Sequence, residues 1–305
     1  MAGLADPVRV LAEIDQGATL VLQGLHRYWP PVVRFCRDLE LALGHPCQAN
    51  AYLTPPGSQG FTPHTDAHDV FVLQAFGSKT WQVWPGPQDR DGNGAEHEIL
   101  DVELEPGAAL YLPTGTHHAA STQQALSGHL TIGVQQTTWR KAMQRVLEQL
   151  LDDPALDAPL PVGFPRGPES LAQLTRVHLE RLETQLRAVD AGNVVADLAD
   201  TFFTSRAPAL RGALVDRRRL PEMTDDDRLR RRPGAVCEIR GGDPVRLLLG
   251  DRELRVPGWL EPAVREMSSR HTFALRELAV HLDATSRLVL AGRLVREGLL
   301  EVLGE

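Results

Sequence analysis

The stretch Phe61–Trp84, FTPHTDAHDVFVLQAFGSKTWQVW, decides how the rest of the chain is read. It sets His64 and Asp66 two positions apart after a glycine-proline loop, continues as an apolar run, and reaches Lys79 across Gly77-Ser78. In an extended strand alternate residues point to one side, so His64 and Asp66 can offer an imidazole and a carboxylate to a single metal ion. Lys79 is the second oddity, because only it and Lys141 among the 32 lysine and arginine residues are lysine. A lysine in a strand pair is ordinarily an exposed hairpin-tip residue; a buried one needs an anion beside it.

Outward from this stretch, Cys47 to about Val134 is a series of short alternating or apolar segments: QANAYL, DVFVLQAF, TWQVW, HEILDVEL, AALYLP, HHAAST and HLTIGV. Turn formers such as PPGSQG, PGPQDRDGNG and PTG separate them, a texture that predicts a compact all-β barrel or sandwich. Residues 1 to about 45 read as mostly helical. Residues 139–151 and 169–189 read as amphipathic helices around a proline-rich break. The run RRRLPEMTDDDRLRRRPG reads as a solvated charged connection. TFALRELAVHL and ATSRLVLAGRLVRE then read as two helices, the second capped near Thr285 or Ser286, and GLLEVLGE as a strand, a winged-helix order. From His271 to Glu305 four arginines face five carboxylates. That balance favours a packing or docking module over a DNA-binding one. The expected class is α+β, divided as an N-terminal helical segment (1–45), a barrel (46–138), a helical region (139–210), a charged linker (211–235) and a winged-helix-like domain (236–305).

Composition bounds the function. With 305 residues, 42% of them hydrophobic, the chain can bury more than one core. A net charge of −8 argues against direct nucleic-acid binding and leaves room for a basic protein partner. Cys36, Cys47 and Cys237 lack metal-type spacing and are odd in number, which fits a reducing compartment. No signal-like start or membrane-length apolar run is present, so the expected location is the cytoplasm, away from membranes.

A two-histidine, one-carboxylate iron site needs one more histidine from a distant strand. The segment PGAALYLPTGTHHAAST offers His117 and His118. Neighbours in a strand face opposite ways, so at most one of them is a ligand. A second His-x-Asp, His281-Leu282-Asp283, lies at a predicted helix end without a partner histidine and reads as structural.

The segments NAYLTPPGSQGFTPHTDAHDVFVLQAFGSKTW, LEPGAALYLPTGTHHA and HLTIGV together resemble the JmjC-type ribosomal oxygenases, over about residues 45 to 140. The resemblance implies a double-stranded β-helix (cupin) barrel followed by a helical dimerisation region and a C-terminal winged helix. It implies an Fe(II)- and 2-oxoglutarate-dependent dioxygenase that uses O2 to hydroxylate a side chain of a ribosomal protein, and a homodimer. By motif, His64, Asp66 and His118 would ligate iron and form the catalytic centre. Lys79 would bind the distal carboxylate of 2-oxoglutarate, and Asn50, Tyr52 and Thr131 would line the pocket. Two features depart from the family: the 49 residues before the NAYLTPPG strand are fewer than its members carry, and Gly133 stands where the histidinyl hydroxylases have serine. The missing hydroxyl leaves arginine open beside histidine as the target. Other classes stay open on the sequence: a metal-binding cupin acting on a small molecule, which would not need Lys79; a winged-helix regulator with a ligand-sensing barrel, which would need positive charge to contact bases; and a catalytically silent interaction protein.

Overall fold

The computed structural model describes residues 5–58, 60–84, 100–122 and 125–303. The expected PGPQDRDGNG turn and the first residues of HEILDVEL lie outside them. Two sheets enclose the site. The larger has the order β1-β2-β8-β3-β6, from β1 (Leu20–Leu22), β2 (Cys47–Thr54), β3 (Asp69–Phe76), β6 (Ala109–Leu112) and β8 (Ser127–Val134). The smaller has the order β5-β4-β7, from β4 (Lys79–Trp84), β5 (Leu100–Leu104) and β7 (His117–Thr122). All their pairings are antiparallel.

Alternation along β2 and β8 separates two environments. Cys47, Ala49 and Ala51 of β2, with Ile132 and Val134 of β8, pack into a buried layer with Leu25, Val32 and Cys36. The last two belong to helix α2 (Pro30–Leu43), whose proline at N1 forfeits no helical hydrogen bond and whose end is set by Gly44 in the left-handed region at φ 70°. The opposite face of β2 and β8 carries Gln48, Asn50, Tyr52, Thr54, His129, Thr131 and Gly133 toward a cavity between the sheets. The N-terminal segment is helical at α1 (Pro7–Asp15) and α2, but Leu20–Leu22 is strand, paired with Leu53, Tyr52 and Ala51. Its three branched apolar residues extend the sheet rather than continue a helix.

Residues Thr137–Ser205 form a compact unit of their own, made of α3 (Trp139–Leu151), α4 (Pro168–Arg187) and α5 (Ala191–Thr204). The sequence expectation lacked α5. Within this unit Asp153 accepts hydrogen bonds from Arg181 at 2.5 Å and Gln185 at 2.8 Å.

The C-terminal part corrects three expectations. The charged run at 211–235 is not a solvated linker: it folds as α6 (Ala213–Arg219) and β9 (Arg228–Arg231), the middle strand of a β13-β9-β14 sheet with β13 (Thr272–Ala274) and β14 (Leu300–Val302). Arg232 is 3% exposed and pairs with Asp216 at 2.5 Å and Glu301 at 3.2 Å, so much of the charge serves a buried network. TFALRELAVHL is not a helix but β13 followed by one short helical turn. Phe273 pairs opposite Leu229, and Phe273, Leu275 and Leu278 are all fully buried. The helix before it is α7 (Glu261–Ser269), with Pro262 in its first turn. Helix α8 (Ala284–Arg296) is capped by Asp283 rather than Thr285 or Ser286, the carboxylate accepting the Ser286 N–H at 2.9 Å. A further sheet is built from β10 (Glu238–Arg240), β11 (Val245–Leu248) and β12 (Glu253–Val256).

One carboxylate ties the start of β3 to the turn before β7. Asp69 accepts from Thr114 N (2.8 Å), Thr114 Oγ1 (2.7 Å), Tyr111 Oη (2.7 Å) and Gln136 Nε2 (2.6 Å). Replacing it with alanine strands several partly buried donors and frees the turn before β7. Urea denaturation of Asp69→Ala is expected to show a loss of about 2 to 4 kcal/mol; a loss below about 0.5 kcal/mol would mean that the turn is held by something else.

Candidate metal centre

Strand parity and two backbone hydrogen bonds assemble the centre. His64 and His118 form an isolated antiparallel bridge, His64 N–H donating to His118 O at 3.1 Å and His118 N–H to His64 O at 2.9 Å. Each imidazole is also fixed through Nδ1, which donates to Thr62 O at 2.9 Å in His64 and to Thr116 O at 3.0 Å in His118. This leaves both Nε2 atoms with a lone pair to offer a metal. Asp66 Oδ2 lies 3.6 Å from His118 Nε2, and one ligand atom from each of the three residues falls within 4.8 Å of the others. Burial lowers the pKa of His118, against the opposing Thr116 hydrogen bond, which favours the neutral ring that binds metal. His118 is buried and His117 is exposed, as alternation requires. Two imidazoles and a carboxylate suit a divalent first-row ion with positions left for other ligands.

The cavity beside the triad has a volume of about 220 Å³. Lys79 stands in its wall at 2% exposure and is no hairpin-tip residue. Its ammonium donates to Thr54 Oγ1 at 2.9 Å and to His129 Nδ1 at 2.9 Å, and among the described residues no carboxylate pairs with it. Burial pushes its pKa down to about 8. His129 is 5% exposed, and burial followed by the Lys79 charge pushes it down to about 3, so it is neutral and accepts from the lysine. Its ring stacks on Tyr52 at 5.0 Å and meets Trp81 edge-on at 5.3 Å. Trp81 Nε1 is buried without a hydrogen-bond partner.

Asn50, Tyr52 and Thr131 all line the cavity, as the motif implies. The Asn50 side-chain carbonyl is already used by Gly24 N–H at 2.9 Å, so only its amide donors remain for a ligand. His129 went unassigned in the sequence, although HLTIGV alternates His129, Thr131 and Gly133 onto one face and names it. His281 bonds Glu266 at 2.5 Å and Asp283 caps α8, so the second His-x-Asp is structural.

Comparison with known proteins agrees with this geometry. Residues 26–142 match the JmjC domain family. Over about half of its length the chain is similar to JmjC-type ribosomal oxygenases. It is 36% identical over 151 residues to the Branchiostoma floridae bifunctional lysine-specific demethylase and histidyl-hydroxylase NO66, covering 49% of this chain and 23% of that protein. It is 34% identical over 194 residues to ribosomal oxygenase 2 of Rattus norvegicus, covering 57% and 41%. The chain thus spans well under half the length of these curated relatives. Among solved structures, Escherichia coli ribosomal oxygenase YcfD superposes with a TM-score of 0.56 at 19% identity, over 93% of this chain and 78% of that one. The likeness supports the JmjC/cupin fold, with its mixed helices and sheets. Among the described residues, no helix is long and apolar enough to cross a membrane.

Lys79 gives the two-sheet region a pH signature. Its pKa falls from 10.5 to about 8 on folding, so between those values the unfolded chain binds more protons and stability rises with pH. Urea midpoints compared between pH 7.5 and 10 should show this rise for the native protein relative to Lys79→Met. Parallel pH profiles for the two would contradict the burial of a charged ammonium.

Proposed function

We propose that this protein is an Fe(II)- and 2-oxoglutarate-dependent protein hydroxylase acting on a histidine or arginine side chain of a ribosomal protein. The observation that carries the reading is a buried lysine that, among the described residues, has no anionic partner, in the same small cavity as a two-histidine, one-aspartate cluster. His64, Asp66 and His118 are the metal ligands in this reading. The bound iron would activate O2, coupling decarboxylation of 2-oxoglutarate to succinate with hydroxylation of a target C–H bond. Lys79 receives the distal carboxylate of 2-oxoglutarate, which replaces a neutral imidazole as partner of the ammonium. Thr54 and the Trp81 N–H, which has no hydrogen-bond partner among the described residues, line the same cavity as further donors, beside the stacked Tyr52 and His129 rings. Asn50 and Thr131 face each other on the next rung of the wall. A YcfD structure is described in complex with cobalt and 2-oxoglutarate, which supports the same co-substrate here. The ribosomal target is supported by the names of the relatives and by this chain's net charge of −8, which suits a basic partner.

Calorimetry with 2-oxoglutarate and Mn(II), an inert stand-in for iron, tests the assignment. Lys79→Ala should weaken 2-oxoglutarate by roughly two to three orders of magnitude, the cost of leaving a buried carboxylate unpaired. Lys79→Arg should lose less, since the charge survives. His118→Ala should abolish Mn(II) binding while His117→Ala keeps it. Equal 2-oxoglutarate affinity in the native protein and Lys79→Ala would refute the reading.

The region Thr137–Ser205 is read as the dimerisation element. Trp139, Met143, Leu147 and Leu151 recur every four residues along α3 and are all exposed, an apolar stripe that a second copy would cover. Light scattering at micromolar concentration should give the dimer mass, and a monomer mass would rule this out. The C-terminal module is read as winged-helix-like and as a docking rather than nucleic-acid-binding part. Arg287 and Arg293 on α8 are committed to Asp225 and Glu297. Cysteines 36, 47 and 237 are free thiols, which supports a cytoplasmic location.

A further inference from the structure

The strand register divides the cavity into two ends. Across β2, β8 and β3 the facing residues are Gln48–Gly133–Val70, then Asn50–Thr131–Val72, then Tyr52–His129–Gln74; one step further, Thr54 faces Ser127. Lys79 is pinned at the Thr54 and His129 end. From there to Gln48 is four to six residues of strand, counted from Tyr52 opposite His129 or from Thr54, roughly 13 to 20 Å at about 3.3 Å per residue. A five-carbon diacid is no longer than about two residues of extended chain, roughly 7 Å. Anchored at Lys79, it leaves the Gln48–Gly133 rung free for something else.

That rung is built in an unusual way. Gly133 sits inside β8 and is not among the glycines with positive φ, so its backbone does not require glycine. Its space does: a β-carbon there would collide with Nε2 and Cδ2 of the His68 ring, and would stand 3.2 Å from Gln48 Cγ. Glycine inside a strand weakens it and marks the close approach of another group. Here the group is an imidazole. His68 lines the cavity together with His64 and Asp66, and its Nε2 lies 3.4 Å from Gln48 Nε2. His68 and Gln48 are both half-buried at the cavity wall. This end therefore presents an imidazole, a carboxamide and the free amide donors of Asn50, with no lysine or arginine in the described lining apart from distant Lys79.

On the basis of the oxygenase reading, we propose that His68, braced by Gln48 over the bare backbone of Gly133, recognises the target side chain and selects one with a hydrogen-bonding nitrogen group, an imidazole or a guanidinium. A carboxylate target would find no lysine or arginine in the described lining at this end to pair with. An aliphatic target would leave the polar groups of this rung unpaired.

The test uses the full chain, with Fe(II), 2-oxoglutarate and, as probe, ribosomes purified from a strain lacking this gene. Mass spectrometry of the intact ribosomal proteins reads the gain of one oxygen atom. His68→Ala and Gly133→Ser, which displaces the ring, should each lower kcat/KM for the modified protein by about tenfold or more, as expected when a site's polar groups lose their partner. Their 2-oxoglutarate affinity in the Mn(II) calorimetry should stay within about twofold, since the altered rung lies beyond its reach. The double variant should be little worse than either single one, because both remove the same contact. Gln48→Ala should give a smaller loss in the same direction, and serves if Gly133→Ser does not fold. Unchanged kcat/KM in His68→Ala overturns the proposal. A parallel fall in 2-oxoglutarate affinity also overturns it, by showing a general structural role. Failure of the native protein to bind 2-oxoglutarate at all is a different result, and removes the oxygenase reading underneath.

Discussion

Two backbone hydrogen bonds between His64 and His118 hold the centre together, because they bring the loop before β3 and the start of β7 into register at the point where their side chains must meet. Neither histidine lies near the other in sequence, and neither imidazole could be placed by its own rotamer preference alone. With the bridge made, each ring is fixed again through Nδ1 by a carbonyl two residues earlier in its own segment. The ligand geometry is thus largely a property of main chain. Asp69 supports it from outside, anchoring the turn that delivers His118 to the strand that begins three residues after Asp66.

The same logic extends over the larger sheet. A strand has a period of two, so a slip of one residue in β8 would turn His129, Thr131 and Gly133 into the layer under α2 and push Ile132 and Val134 into the cavity. Small residues at Ala49 and Ala51 let the helix approach on one side while polar residues alternate with them on the other. Hydrophobic packing on the outer face therefore specifies the chemistry of the inner face.

This explains what could be read from the sequence. The triad, Lys79 and the pocket positions on β2 were legible because period-two alternation and turn residues are local signals, and His118 over His117 followed from the family motif. The failures came where tertiary partners outweigh local pattern. TFALRELAVHL has helical spacing, but Phe273 and its neighbours are claimed by pairing with β9. The arginine- and aspartate-rich run looked solvated because composition does not show that Arg232 meets Asp216 and Glu301, which is 69 residues away. Gly133 was visible as an absent hydroxyl; that its space is taken by His68 was not, since the two meet only through the β3–β8 pairing.

Energetics make the Lys79 end the least self-sufficient part of the barrel. An ammonium at 2% exposure loses its hydration, and a hydroxyl and a neutral imidazole return only part of it. The downward shift of its pKa to about 8 is the mark of that deficit. His129 supplies no counter-charge, because burial and then the neighbouring ammonium hold its ring neutral. A carboxylate arriving there would convert an uncompensated charge into a pair and bring the proton fully back onto the lysine. Such an arrangement costs stability in the empty protein and returns it on binding. It is reasonable in a pocket that must discriminate an anion from water, and would be hard to account for in a scaffold that binds nothing.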